Sequence, residues 1–196
     1  MEPKLSNNSA IRIVTAAGQE FARVGFAGAR VDRIAKAAGV NKQLLFYYYH
    51  SKRGLFQAVL KRGLSELEGA LTTHTTAPGR PLDRLRDLLS VQFEYLADHP
   101  ELVTLLGHSE RDDSSSFAPA IRRLVVVLAE GQGLGQVRDD LDPHLTAAQA
   151  LVLMIGYLRM EALIAASAPP LGVDESTLRE RWKRAAVQLV LNGVRT

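Results

Sequence analysis

Apolar residues in this chain recur at spacings of three and four, and the alternation typical of a β-strand is nearly absent. The pattern predicts an all-α protein of about nine helices. The first predicted helix ends between Gly25 and Gly28. Its expected buried stripe is Ile11, Val14, Ala17, Phe21 and Val24.

Three further helices are predicted before residue 72. A short second helix, around Ile34, ends at Gly39, because glycine adopts the left-handed conformation at little cost. A third begins near Asn41 and runs through an aromatic cluster. Ser51 is a good N-cap for a fourth helix reaching about Leu71.

The rest of the chain also has a helical pattern. After a turn-rich stretch at 72–80, helices are predicted at about 81–98, 101–110, 117–131 and 143–166, and a last helix passes through Trp182. We therefore predict two domains, residues 1–56 and 57–196, with the fourth helix as the link between them.

The amino-acid composition excludes some kinds of functional site and some cellular locations. The chain has 196 residues and no cysteine, which excludes disulfides, thiolate zinc sites and a cysteine nucleophile. We find no signal peptide at the start and no apolar run long enough to span a bilayer, so we expect a soluble cytoplasmic protein without a membrane partner.

Charge is unevenly distributed along the chain. Residues 1–56 contain nine Lys or Arg and three acidic residues, a net charge of +6, so the remainder carries −3 of the total +3. A basic N-terminal segment joined to a mildly acidic remainder suggests that the N-terminal segment binds a polyanion. A merely solvated basic face is the alternative.

The second and third predicted helices carry the strongest motif. Two short helices, separated by a tight glycine turn and flanked by basic residues, let the second helix enter a DNA major groove. Residues 29–56 read ARVDRIAKAAGVNKQLLFYYYHSKRGLF. They resemble the DNA-binding signature of the tetracycline-repressor (TetR) family in the spacing of Ile34-Ala35, Gly39-Val40, the Leu-aromatic run and Ser51-Lys52.

The resemblance implies a ligand-responsive transcriptional regulator, most often a repressor. Such a protein binds a palindromic double-stranded DNA operator as a homodimer and is released by a small-molecule effector. The predicted DNA-binding residues are Arg30, Asn41, Lys42, Gln43, Leu44, Tyr47, Tyr48 and Lys52. The expected core of the three-helix module is Ile34, Ala35, Val40 and Leu45, with Phe46 and Tyr49 also mainly structural.

Each predicted contact residue has a chemical rationale. Lys42 and Gln43 stand at the start of the third helix, and glutamine can pair with adenine through two hydrogen bonds. Leu44 can contact a thymine methyl group, whereas the tyrosines and Lys52 are expected to bind phosphates.

Two positions depart from the family pattern. Tyr48 replaces the usual histidine, and Ala29-Arg30 replaces the Thr/Ser pair that caps the second helix. The missing side-chain cap costs about 0.5–2 kcal/mol locally. The Arg30 guanidinium can recover a phosphate contact.

The body has two expected tasks, dimerisation and sensing. Helices containing Leu151–Leu163 and Leu178–Leu191 are apolar on more than one face, so we expect a four-helix dimer interface, with an ordinary monomer core as the alternative. Aromatic and polarisable residues between the body helices are candidates for an effector pocket, although each also fits a plain core. These candidate ligand-binding residues are Phe93, His108, Phe117, Met154 and Tyr157.

Other functions have less support from the sequence. No two histidines have paired metal-ligand spacing on one helix, so we expect no enzyme, catalytic residue, metal site or cofactor. The glycines at 131–135 follow a helix and lack a P-loop lysine. An activator on the same fold, or an architectural DNA-binding protein without small-molecule control, remains an alternative.

Overall fold

The computed structural model describes residues 7–75, 78–107, 118–167 and 174–196. Within these residues the chain forms nine α-helices and one isolated β-bridge, between Val137 and Arg195, which confirms the all-α prediction. The helices are α1 (Asn7–Gly28), α2 (Val31–Ala38), α3 (Lys42–Tyr49), α4 (Lys52–Thr75), α5 (Pro81–Asp98), α6 (Pro100–Leu106), α7 (Ala118–Gly133), α8 (Pro143–Ser167) and α9 (Glu175–Val194).

The first compact unit comprises the described residues up to Ser65 together with 99–107, and so includes α6. Its core includes the buried Phe21 and Phe56, and the ring of Phe56 meets Phe21 and the half-buried Phe26 edge-on at 5.3 Å each. Helix α1 packs against both α2 and α6. The functional boundary expected at residue 56 stays a prediction.

The apolar stripe predicted for α1 was wrong at its start. Ile11 is 48 % exposed, whereas Ile13 is fully buried, and the buried face continues through Ala17 and Phe21. These three residues are four apart and share one side of the helix, while Ile11 lies about 200° around the axis from Ile13. Two helices also run past their predicted ends, α4 to Thr75 and α7 to Gly133.

The second compact unit contains the described residues from Glu66 to Asp98 and those after 117. Helix α5 packs against α7, α8 and α9. The C-terminus is fastened to the turn after α7, because the Arg138 N–H donates to the Val194 carbonyl at 2.9 Å and the Thr196 hydroxyl to the Gly135 carbonyl at 2.8 Å. This unit places three helices around one face of α5.

Helix α8 corrects the expectation that no apolar stretch reaches membrane-spanning length. By length and composition alone, its segment Pro143–Ala166 qualifies as a candidate span. One side of α8 is nevertheless buried in the second unit, at Ala147, Leu151 and Met154. A core helix that is also apolar on its outer side passes the same test.

Candidate nucleic-acid interface

The turn between α2 and α3 has the geometry that the sequence predicts. Gly39 adopts the left-handed conformation, with φ 65° and ψ 39°, and ends α2. The Val40 N–H returns to the Ala35 carbonyl at 3.0 Å, which completes a helix C-cap. Asn41 then caps α3, since its side-chain oxygen accepts from the Leu44 N–H at 2.6 Å. The helix-turn-helix is thus fixed at both ends of its turn.

The core of this module agrees with the prediction at most positions. Ile34, Ala35 and Leu45 are buried, and Val40 is half-buried. Phe46 departs from its mainly structural interpretation, because it is 37 % exposed. Tyr49 is half-buried, and burial raises the pKa of its hydroxyl.

The predicted DNA-binding residues of α3 lie together at its N-terminal end and along one side. Lys42 and Gln43 are exposed, and Leu44 is half-buried. Tyr47, one turn beyond Gln43, is 51 % exposed, and its ring meets that of the half-buried Tyr48 edge-on at 5.0 Å. Residues four apart share a helix face, so Gln43 and Tyr47 present one surface to solvent.

An acidic residue of α2 reaches this surface. The Lys42 ammonium lies 2.9 Å from Asp32 Oδ1, and both side chains are exposed. It also lies 6.0 Å from the centre of the Phe46 ring. The positive charge of Lys42, which the sequence predicts to contact DNA, is therefore partly balanced by Asp32.

Lys52, at the start of α4, has a structural role that sequence reasoning missed. Its ammonium donates to the carbonyls of Ala27 and Ala29, each at 3.2 Å, and lies 4.8 Å above the Phe26 ring. Two of the three donors of the ammonium are thus used to tie α4 to the end of α1. The predicted phosphate contact would add to this role.

The N-terminus of α2 lacks a side-chain cap, as the sequence predicts. Arg30 is the N-cap residue and makes no capping hydrogen bond with its side chain. Glu20 of α1 partly compensates, because its Oε1 accepts from the Arg30 N–H at 3.4 Å. The hydrogen bond from Arg23 at 2.7 Å, with the Arg30 N–H, holds the pKa of the Glu20 carboxyl below its ordinary value.

The turn between α3 and α4 is tightly packed. Ser51 caps α4 as predicted, accepting from the Gly54 N–H at 2.9 Å. A Cβ on Gly54 would lie only 2.2 Å from the Tyr49 carbonyl oxygen, so a side chain there would force the two helices apart. His50, between them, has a positive φ of 59°, which is uncommon for a residue other than glycine.

The candidate effector residues that the structure describes are all in the interior of the second unit. Phe93, Met154 and Tyr157 are no more than 2 % exposed. The Phe93 and Tyr157 rings lie 6.1 Å apart, and both stack on Trp182 of α9, the helix that the sequence predicts to contribute to the dimer interface. His108 and Phe117, predicted with them, lie outside the described residues. In the described part of the chain, no three His, Asp or Glu side chains cluster to hold a metal ion.

Comparison with known proteins defines the class. A family model described as bacterial regulatory proteins of the tetR family matches residues 13–59. The chain is 33 % identical over 190 residues to the HTH-type transcriptional repressor SCO4008 of Streptomyces coelicolor, covering 91 % of this chain and 93 % of the relative. A helix-turn-helix transcriptional regulator is therefore the class that fold, site and relatives define together.

Solved structures agree along the length of the chain. A putative transcriptional regulator, SCO4942, from Streptomyces coelicolor has a TM-score of 0.75 and 30 % identity, covering 94 % of this chain and 97 % of its own. FadR of Bacillus subtilis, in complex with stearoyl-CoA, has a TM-score of 0.77 at 18 % identity, covering 93 % and 98 %, and shows the shared fold. The chain belongs to the TetR family, whose members are transcriptional regulators and not enzymes.

Proposed function

We propose that this chain is a ligand-responsive repressor that binds a palindromic operator as a homodimer through α3 and is released by a small molecule. The observation that carries the proposal is the N-terminal end of α3, where exposed Lys42 and Gln43 stand on a helix fixed by the Asn41 cap. A rigid helix with a cationic and an amide side chain at its tip can reach phosphates and base edges in the major groove.

The homodimer is supported by apolar residues that a single chain leaves in water. On α8, Val152 is 70 % exposed and Leu163 is 60 % exposed; on α9, Leu189 is 64 % exposed. Helices α8 and α9 pack against each other, and large apolar side chains exposed on both support an interaction site there. A two-fold arrangement would bury α8 and α9 of both chains as a four-helix interface. Two such chains would present two α3 helices to the two halves of a palindrome.

Effector control is supported by the aromatic cluster of the second unit and by helix α4. The apolar interior around Phe93, Met154 and Tyr157 suits a mainly apolar ligand. Helix α4 begins with Lys52 in the first unit and ends at Thr75 in the second, so one helix contributes residues to both. A ligand that prefers the conformation unable to bind DNA by about 1–3 kcal/mol would lower operator affinity roughly 5- to 150-fold.

The fold neighbour FadR was solved with stearoyl-CoA, which is compatible with an effector held within this fold. Because members of the family are soluble transcription regulators, we place the chain in the cytoplasm.

Two alternative functions remain. An activator would have the same fold and the same DNA contacts as a repressor, and the position of the operator relative to the promoter distinguishes the two. An architectural protein is disfavoured because about 120 residues beyond α4 would have no role in it.

Titration of DNA from upstream of the gene for this chain tests the proposal. Footprinting should show two protected half-sites about one helical turn apart, and light scattering at micromolar concentration should give the mass of a dimer. Compounds are then screened for release of the DNA. A monomer that protects only one half-site would refute the proposal that the chain binds its operator as a dimer.

A pair of variants separates the interface from general effects of surface charge. Leu189→Glu on α9 should dissociate the dimer and weaken operator binding. Leu134→Glu is the matched control, because Leu134 is 61 % exposed and lies in the turn after α7. Equal behaviour of the two variants would place the interface elsewhere.

A further inference from the structure

Among the residues that the structure describes, the second unit buries one glutamine side chain, that of Gln92, without a hydrogen-bond partner. Gln92 of α5 is 0 % exposed. Neither its Nε2 nor its Oε1 has a hydrogen-bond partner among the residues that the structure describes. A buried amide that makes no hydrogen bond is costly, and nearly all buried polar groups in native proteins are paired. Gln92 therefore calls for a functional explanation.

The position of Gln92 on α5 is central to the buried face. Successive residues of a helix are about 100° apart, so Gln92 lies roughly midway between Arg84 and Phe93 around the axis. Arg84 is paired with Glu130 of α7, and Phe93 packs on Tyr157 of α8 and Trp182 of α9. The amide thus belongs to the part of α5 that the other helices of the unit enclose.

The charges of this unit are balanced where they are partly buried. Arg123 is paired with Glu68, Arg179 with Glu161 at 2.8 Å, and Lys183 with Glu94 at 2.7 Å. Arg84 has its own carboxylate partner, Glu130. An anionic ligand would have to compete with one of these carboxylates, and a cationic ligand would meet a neutral amide. The paired charges of this unit and the neutral amide of Gln92 therefore favour an uncharged ligand.

We propose that the Gln92 amide anchors the effector through a pair of hydrogen bonds, and that the effector is an uncharged, mainly apolar molecule with a carboxamide-type group. An amide presents one acceptor oxygen and two donor hydrogens, so its best partner offers a donor and an acceptor side by side. The apolar remainder would contact the leucines and the aromatic cluster that share this interior. The inference rests on the proposed small-molecule switch and names the chemistry of its ligand.

The first test compares the ligand-free stability of the wild type with that of Gln92→Leu. If Gln92 is kept for a ligand, the leucine variant should be more stable, with a folded-to-unfolded ratio about 5- to 30-fold higher in urea titration. Leu89→Met, a volume-conserving change at another fully buried α5 position, is the packing control and should change the ratio little. A marked loss of stability in Gln92→Leu would assign Gln92 a structural role and overturn the proposal.

The second test uses three probes of matched shape, hexanamide, 2-heptanone and hexanoate, at millimolar concentration. Wild type should bind hexanamide at least about tenfold more tightly than 2-heptanone, which accepts but cannot donate, and hexanoate least. Gln92→Leu should lose this preference. Absence of hexanamide binding, equal binding of hexanamide and 2-heptanone, or an unchanged ranking in Gln92→Leu would each overturn the proposal.

Operator titrations separate this inference from the proposed function. Gln92→Leu should bind operator DNA with the affinity of the wild type and fail to respond to a compound that releases the wild type. A compound that releases both proteins equally would overturn the role of Gln92 and leave the switch intact. A wild type without operator preference would overturn the proposed function itself, whatever the probes show.

Discussion

The Lys42 ammonium at the N-terminal end of α3 is paired with the Asp32 carboxylate of α2 at 2.9 Å. Both side chains are exposed, so the pair adds little stability. The effect of the pair on DNA binding should be larger, because a DNA phosphate and Asp32 would compete for the same cation. Asp32 thus lowers the positive potential at the place where a phosphate would bind.

Asp32→Asn should therefore raise affinity for every DNA fragment, by about fivefold at low salt. Lys42→Ala should weaken binding on all sequences and reduce the slope of log K against log salt by about 0.9. Fluorescence anisotropy with operator and scrambled DNA over a range of salt measures both. If Asp32→Asn weakened binding instead, Asp32 would serve to position Lys42 and not to restrain it.

Lys52 should behave differently from Lys42. Lys52→Met removes the donor to two carbonyls at the end of α1, so it should lower the free energy of unfolding by about 1–3 kcal/mol and also weaken DNA binding. Lys42→Met, the matched control in an exposed pair, should weaken DNA binding and change stability by less than about 0.5 kcal/mol. Urea denaturation and operator titration of both variants test this. Equal stability of the two variants would remove the structural role of Lys52.

Much of the candidate nucleic-acid interface could be predicted from the sequence, because its turns and caps involve residues that are close together in the chain. The glycine turn, the Asn41 cap and the Ser51 cap involve residues within a few positions of one another, and local spacing determines such bonds. The resemblance to the family signature then predicted DNA-binding roles for the exposed residues of α3. Ile11 was misplaced because the pattern of α1 offered two overlapping stripes, and only packing against α2 and α6 selects between them.

The features that sequence reasoning missed join residues far apart in the chain. Lys52 reaches carbonyls 23 and 25 positions away, and no spacing rule predicts that contact. Gln92 was overlooked because one polar residue in a leucine stripe looks like an ordinary boundary position. Its signal is the combination of full burial with an unpaired amide, which requires coordinates.

Glu20 should make the stability of the first unit depend on pH. Because its pKa is lowered in the folded state, its contribution is present above its unfolded pKa of about 4.3 and is lost as pH falls through the folded value. Glu20→Gln should lower the free energy of unfolding by about 1 kcal/mol at pH 7 and progressively less below pH 4. Arg23→Gln should reproduce most of that loss, and the double variant should lose little more. Urea titrations at pH 7 and below pH 4 measure how the loss of stability depends on pH. A loss that is the same at both would contradict the role given to the Glu20 carboxylate.

Gly54 and Gly69 form a matched pair within α4. Gly54→Ala should destabilise the protein by about 1–3 kcal/mol and weaken operator binding, because the new methyl group would collide with the Tyr49 carbonyl and separate α3 from α4. Gly69→Ala has nothing within 4 Å of the new atom and should stabilise by up to about 1 kcal/mol. Thermal unfolding and operator titration compare the two. Tolerance of Gly54→Ala would show that the close approach is not required.

Whether α3 reads a specific operator is tested by the ratio of the protein's affinities for that operator and for scrambled DNA. The ratio should be measured at one physiological salt concentration for the wild type and for Gln43→Ala. We expect a wild-type ratio of about 10³ or more. Gln43→Ala should relax preference at one base pair in each half-site, at a cost of about 1–3 kcal/mol in discrimination per base. A wild-type ratio near one, or a Gln43→Ala variant that loses affinity equally on every operator variant, would contradict the account.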